Sequence, residues 1–150
     1  MPVPVETGTV ENSGARAPCI LLAEDDAAFR VLLAEELRGA GYRVVEVRDG
    51  GALLEYVGST ALPPTAPRPD LIITDVRMPG LSGFDVAISL KLAGYAFPLI
   101  FITAFGSNDL MPFARDLGAT AILNKPFELD DLVRAVSDAL GSTAAGATQS

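Results

Sequence analysis

Four short apolar runs, each breaking off in polar side chains, constrain what this chain can fold into more than any other feature. Cys19-Ile20-Leu21-Leu22-Ala23 leads into Glu24-Asp25-Asp26, and Leu71-Ile72-Ile73 leads through Thr74 to Asp75 and the turn residues Met78-Pro79-Gly80. Leu99-Ile100-Phe101-Ile102 leads into Thr103, and Ile122-Leu123-Asn124 into Lys125-Pro126. Such runs suit strands covered on both faces. Between them lie stretches of helical period. Ala27 to Ala40 places Phe29, Leu32, Leu33, Leu37 and Ala40 on one face, and Glu128 to Leu140 does the same with Leu129, Leu132, Val133, Val136 and Leu140. Arg43 to Val47 reads as a further strand, and Gly51 to Val57, Gly83 to Ala93 and Asn108 to Leu117 read as helices. Strands are expected at Pro98 to Thr103 and Thr120 to Asn124, and the proline-rich stretch 58–69 reads as an extended loop. Strict alternation of this kind predicts right-handed crossovers and a doubly wound, five-stranded parallel α/β sheet with helices on both faces.

In an open sheet of that type, ligands and chemistry gather outside the carboxyl ends of the strands. The polar groups that end the runs are therefore expected to meet in one cleft holding an acid cluster, a hydroxyl and an ammonium. Two carboxylates about 4 Å apart repel by roughly 4 kcal/mol at an effective dielectric near 20, so several together either raise a pKa or recruit a cation. A set made only of oxygen donors suits Mg²⁺ completed by water and phosphate. Plainer roles exist for single members. Asp26 reads as the N-cap of the first helix, a position that favours Asp; a lone Thr often simply ends a strand; a lysine is ordinarily a surface residue.

The set, in this order, resembles the receiver domain of two-component response regulators, with its flavodoxin-like fold, over about residues 18 to 141. The resemblance implies that Glu24 and Asp25 are the acidic pair, Asp75 the phosphoacceptor, Thr103 the hydroxyl and Lys125 the lysine that contact the phosphoryl group. It also implies that Glu24, Asp25, Asp75 and the backbone carbonyl of Arg77 hold Mg²⁺, and that the Lys125-Pro126 bond is cis. Met78-Pro79-Gly80 and Lys125-Pro126-Phe127 match local signatures of the family. The expected partners are a histidine kinase or histidine phosphotransfer protein as donor, and a downstream protein target met through helix 4, strand 5 and helix 5. Such a protein accepts and slowly hydrolyses its own aspartyl phosphate and is not a turnover enzyme. Three positions depart from the usual pattern or flank the path of hydrolytic water: Ile122 stands where receivers usually carry Tyr or Phe, and Arg77 and Phe105 are bulky beside the small Ala104.

At 150 residues the chain fits one α/β core, and no apolar run approaches the roughly 20 residues of a membrane helix. Residues 1–17 read as a flexible arm, 18–141 as the receiver domain and 142–150 as a flexible tail, leaving no room for an output domain. A net charge of −8 with eleven scattered basic residues disfavours nucleic acid as a partner. The lone Cys19 excludes an internal disulfide and suits a cytoplasmic protein, and the absence of His requires any phosphohistidine to come from another chain. The alternative readings are a flavodoxin-like cofactor protein, a phosphatase of the haloacid dehalogenase type, a phosphate sink, a scaffold independent of phosphorylation, and the receiver module of a hybrid kinase pathway. The first wants a phosphate-cradling loop where Glu24-Asp25-Asp26 stands. The second wants Asp where Arg77 stands.

Overall fold

A computed structural model describes residues 16–61, 64–104 and 110–148. Five strands, β1 (Cys19–Ala23), β2 (Arg43–Val47), β3 (Leu71–Asp75), β4 (Leu99–Thr103) and β5 (Ala119–Asn124), form one parallel sheet in the order β2-β1-β3-β4-β5. Every residue of β1, β3 and β4 is buried, as the uninterrupted apolar runs require of strands covered on both sides, whereas the edge strands β2 and β5 are only partly covered.

The strands alternate with α1 (Ala27–Gly39), α2 (Gly50–Ser59), α3 (Gly83–Leu92), α4 (Met111–Asp116) and α5 (Leu129–Thr148). Because successive side chains of a strand point to opposite faces, each strand feeds two cores. Ile20, Leu22, Ile73, Ile100 and Ile102 pack with Leu33 and Leu37 of α1 and Leu132 and Val136 of α5. Leu21, Ile72 and Phe101 pack on the other side with Leu53 and Val57 of α2, Val86 and Leu90 of α3 and Ala114 of α4. Phe101 is fully buried there, and its truncation to Ala would cost about 3–5 kcal/mol.

Local chemistry sets the helix starts. Asp26 caps α1, its Oδ1 accepting from the Phe29 N–H at 3.0 Å, so the plain reading of Asp26 holds. Asp49 caps α2, and Ser82 caps α3 in a reciprocal box with Asp85. Pro112 lies in the first turn of α4, where a missing N–H costs nothing, and this helix begins at Met111. The expected start at Asn108 lies outside the described residues.

The largest departure from the sequence expectation is at the end of α5. The helical spacing predicts an end at Leu140, but the helix continues through Thr148. Ala144, Ala145 and Ala147 are strong helix formers, and their propensity extends a helix already nucleated by packing, despite the cost of Gly141 and Gly146. The first fifteen residues of the expected N-terminal arm lie outside the described residues. Among the described residues, no helix is long and apolar enough to cross a membrane.

Candidate functional site

The carboxyl ends of β1, β3 and β5 converge on three charged side chains. Asp75, the last residue of β3, is buried at 3% exposure, and its Oδ2 accepts from Lys125 Nζ at 2.7 Å. Its Oδ1 accepts from the Arg77 N–H at 3.0 Å, so both oxygens are oriented by donors. Glu24, just past β1, is 1% exposed. Its Oε2 accepts from the Asp26 N–H at 3.0 Å, while Oε1 lies 3.6 Å from Lys125 Nζ and is a buried oxygen with no hydrogen bond among the described residues.

Backbone contacts hold these groups in place. Lys125 is fixed by its N–H donating to the Thr103 carbonyl at 2.7 Å, and the Lys125-Pro126 bond is cis, as the resemblance implied. Val76 N–H donates to Ile102 O at 2.8 Å, continuing the β3–β4 ladder one residue beyond Asp75. The start of α3 is pressed against the same point. A Cβ on Gly83 would lie 2.5 Å from the Asp75 carbonyl oxygen, so this close approach admits only glycine.

The electrostatics are those of an unfinished cluster. Burial, then contact with the Asp75 carboxylate, pushes the Glu24 carboxyl up from its ordinary range to about 7. Burial alone would lower the Lys125 ammonium, but the Asp75 hydrogen bond and the charges of Asp75 and Glu24 outweigh it and the pKa rises, so this lysine stays charged. Glu24, Asp25 and Asp75 each offer one carboxylate oxygen, all within 4.8 Å of one another. One lysine against three acids leaves a net negative pocket, and the orphaned Glu24 Oε1 is the group a hard cation would satisfy. The donor set therefore fits Mg²⁺.

The structure thus brings Glu24, Asp25, Asp75 and Lys125 together, with Thr103 buried at the end of β4 beside them in the sheet. Arg77 is exposed and touches the site through its backbone. Phe105 lies outside the described residues. Ile122 is half-buried against the core on the α2, α3 and α4 side.

Two residues escaped the sequence reading. Arg30 of α1 donates from Nη1 to the Glu24 carbonyl at 2.8 Å and from Nε to Glu46 at 3.3 Å. Phe29, placed among the core positions of α1, lies with its ring centroid 5.0 Å from Lys125 Nζ. Helical spacing does locate both one turn beyond the acidic loop. What it cannot show is that α1 leans on the lysine just after a strand about a hundred residues later in sequence.

Comparison with known proteins gives this geometry a family. The model of the response regulator receiver domain matches residues 20–137. The chain belongs to the response regulator receiver family. The transcriptional regulatory protein PdtaR of Mycobacterium tuberculosis is 40% identical over 132 residues, covering 87% of this chain and 60% of that protein. This receiver therefore spans about 60% of the length of that relative. The sporulation initiation phosphotransferase F of Bacillus subtilis is 31% identical over 117 residues, 78% of this chain and 89% of its own. Among solved structures, the response regulator TrrA of Thermotoga maritima, in complex with Mg²⁺ and beryllofluoride, is 30% identical with a TM-score of 0.68, covering 82% of this chain and 99% of that one. Membership makes the chain a receiver module of two-component signal transduction with the doubly wound fold expected of it. Receivers are signalling modules, and they bind Mg²⁺ at an acidic pocket of this kind.

Proposed function

We propose that this receiver accepts a phosphoryl group on Asp75 from the phosphohistidine of a partner kinase or phosphotransfer protein, and signals through protein contact. The observation that carries the reading is the 2.7 Å contact between Lys125 Nζ and Asp75 Oδ2 beside the Glu24 and Asp25 carboxylates. A buried nucleophilic oxygen, a fixed ammonium and two further acids are the parts that phosphoryl transfer requires.

Glu24, Asp25, Asp75 and the backbone carbonyl of Arg77 would hold Mg²⁺, which when bound supplies positive charge to the phosphoryl oxygens. Asp75 attacks phosphorus in line. A new P–O bond forms as the donor's N–P bond breaks, and the electron pair leaves with the donor imidazole. Lys125 moves its hydrogen bond from Asp75 to a phosphoryl oxygen, and the hydroxyl of Thr103 donates to another. These 150 residues hold no histidine, so in this reading the phosphohistidine comes from outside them.

Output is assigned to the face made by α4, β5 and α5. A cavity of about 400 Å³ lies along β5 and α5, lined in part by Ile122, Leu123, Phe127 and Arg134. A tenfold preference of a partner for the phosphorylated form needs about 1.4 kcal/mol of coupling, the size of one charge-assisted hydrogen bond from Thr103.

Incubation with acetyl phosphate and Mg²⁺ followed by intact mass measurement tests the assignment. One phosphoryl group should appear on the parent and none on Asp75→Asn, and a chelator should abolish labelling. Equal labelling of Asp75→Asn would refute the acceptor, and full labelling in chelator would refute the metal site. Thr103→Val should label while losing the partner's preference for the modified form. A partner indifferent to phosphorylation in the parent would instead favour a scaffold or a phosphate sink.

A further inference from the structure

Lys125 carries its charge on a flexible four-carbon stem, and its side chain is 30% exposed. Its hydrogen bond to Asp75 holds the ammonium only while Asp75 is a free carboxylate. Once that carboxylate becomes an acyl phosphate, the charge that attracted the lysine has moved outward.

The ring of Phe29 supplies an attraction of a different kind. Its centroid lies 5.0 Å from Lys125 Nζ, within the range at which an ammonium is drawn to an aromatic face. We propose that Phe29 is a positioning residue for Lys125, its ring face keeping the ammonium over the acid cluster before and after transfer, an inference that rests on the roles given to Asp75 and Lys125 above.

Three observations support it. First, the residue is anchored at its backbone and its ring is packed on one side. The Phe29 N–H donates to the Asp26 cap at 3.0 Å, and the Phe127 ring meets Phe29 in an edge contact at 6.1 Å and 61°. Second, the ring closes a circuit around the site. Glu24 Oε2 accepts from Asp26 N, Asp26 Oδ1 accepts from Phe29 N, the Phe29 ring faces Lys125, and Lys125 bonds Asp75. The loop that carries the acidic pair and the lysine that opposes it are thereby set relative to one another. Third, the partner is neutral. An acid at this position would compete with the phosphoryl group for the lysine, and an aliphatic side chain would exert no electrostatic hold. A π face attracts the cation without bearing a charge of its own, so its pull persists when the charge on Asp75 is redistributed.

The experiment compares the full chain with Phe29→Leu, which keeps an apolar side chain of similar reach but removes the π face, and Phe29→Tyr, which restores it. Phosphorylation by acetyl phosphate with Mg²⁺ should slow roughly three- to fivefold in Phe29→Leu, the size expected of one partly exposed cation–π contact, and recover in Phe29→Tyr, with Mg²⁺ affinity unchanged in both. The Lys125 ε-methylene protons should be shifted upfield by the ring in the parent, remain so with Mg²⁺ and beryllofluoride bound, and lose the shift in Phe29→Leu. A Phe29→Leu variant as fast as the parent, a Phe29→Tyr variant as slow as Phe29→Leu, or a parent lacking the upfield shift when loaded with beryllofluoride would each overturn the role of Phe29. A parent that takes no label would overturn the assignment of Asp75 itself, so the two failures are told apart.

Discussion

Strand β3 is bounded by an aspartate at either end, and the two could hardly be used more differently. Asp70, immediately before Leu71, is exposed, and its Oδ2 accepts from the Cys19 N–H at 2.8 Å while its own N–H donates to the Cys19 carbonyl at 2.7 Å. It closes the start of the β1–β3 ladder. Asp75, four residues into the strand from Leu71, is buried against Glu24 and bonded to Lys125. The rest of the N-terminal end of the sheet follows the pattern of Asp70. Lys91 Nζ donates to the Asp116 carbonyl at 2.8 Å, and Arg68 lies 4.4 Å from the centroid of Phe97. Polar groups there finish the structure, whereas those at the carboxyl end leave a buried oxygen without a hydrogen bond among the described residues. A parallel sheet gathers its loops at both ends. Function follows the end at which charges are concentrated faster than the protein alone can satisfy them.

Exchanging the two ends by mutation gives the sharpest test of that contrast. Asp75→Asn should abolish labelling with acetyl phosphate, while Asp70→Ala should label at the parental rate. Comparable losses in both would break the comparison, since Asp70 would then belong to the chemistry.

Stability should separate the ends next. Gly83→Ala places a Cβ against the Asp75 carbonyl, and overpacking of that kind costs about 1–3 kcal/mol or more, with labelling impaired as well because Asp75 must shift. Asp70→Ala leaves the buried Cys19 N–H without its acceptor, costing about 1–3 kcal/mol with no loss of labelling. Thermal melts read beside labelling rates would check both, and a Gly83→Ala chain that is stable and labels normally would show that α3 is not seated on the site.

A smaller effect concerns pH. Between its ordinary range near 4.5 and its folded value of about 7, Glu24 keeps a proton in the native state that the unfolded chain has released. Its contribution to stability is therefore complete at low pH and is lost as pH rises through 7. With no histidine in the chain to mask it, the metal-free protein should melt a few degrees lower at pH 8 than at pH 6. Glu24→Gln should flatten the difference, and Mg²⁺ should reverse it at pH 8 by favouring the ionised acid. A slope unchanged in Glu24→Gln would assign the proton elsewhere. Substitution of Arg68 by Ala, at the other end, should change neither labelling nor the pH slope.

Much of this was legible in the sequence because its signals are local. An uninterrupted apolar run marks a strand covered on both faces, Asp26 marks a helix start, and a polar residue at the end of each run marks the cleft side. These place Glu24, Asp25, Asp75, Thr103 and Lys125 at one edge of the sheet without any coordinates. The extra length of α5 is local too: no helical apolar face continues past Leu140, and the helix propensity of the alanines carries it on.

Tertiary structure decided what depends on proximity between distant segments. The sequence determined five strands, their order along the chain and the residues that end them, because period and turn chemistry act over a few positions. Only the packed sheet, with β1, β3 and β4 between its edges, set Lys125 Nζ 2.7 Å from Asp75, lifted the Glu24 carboxyl to about 7 by burying it, and turned Phe29 from one of several apolar positions on α1 into the neighbour of a lysine. Burial and the separation of charges are properties of the assembled fold, and both vary steeply over distances of an ångström that no local sequence pattern encodes.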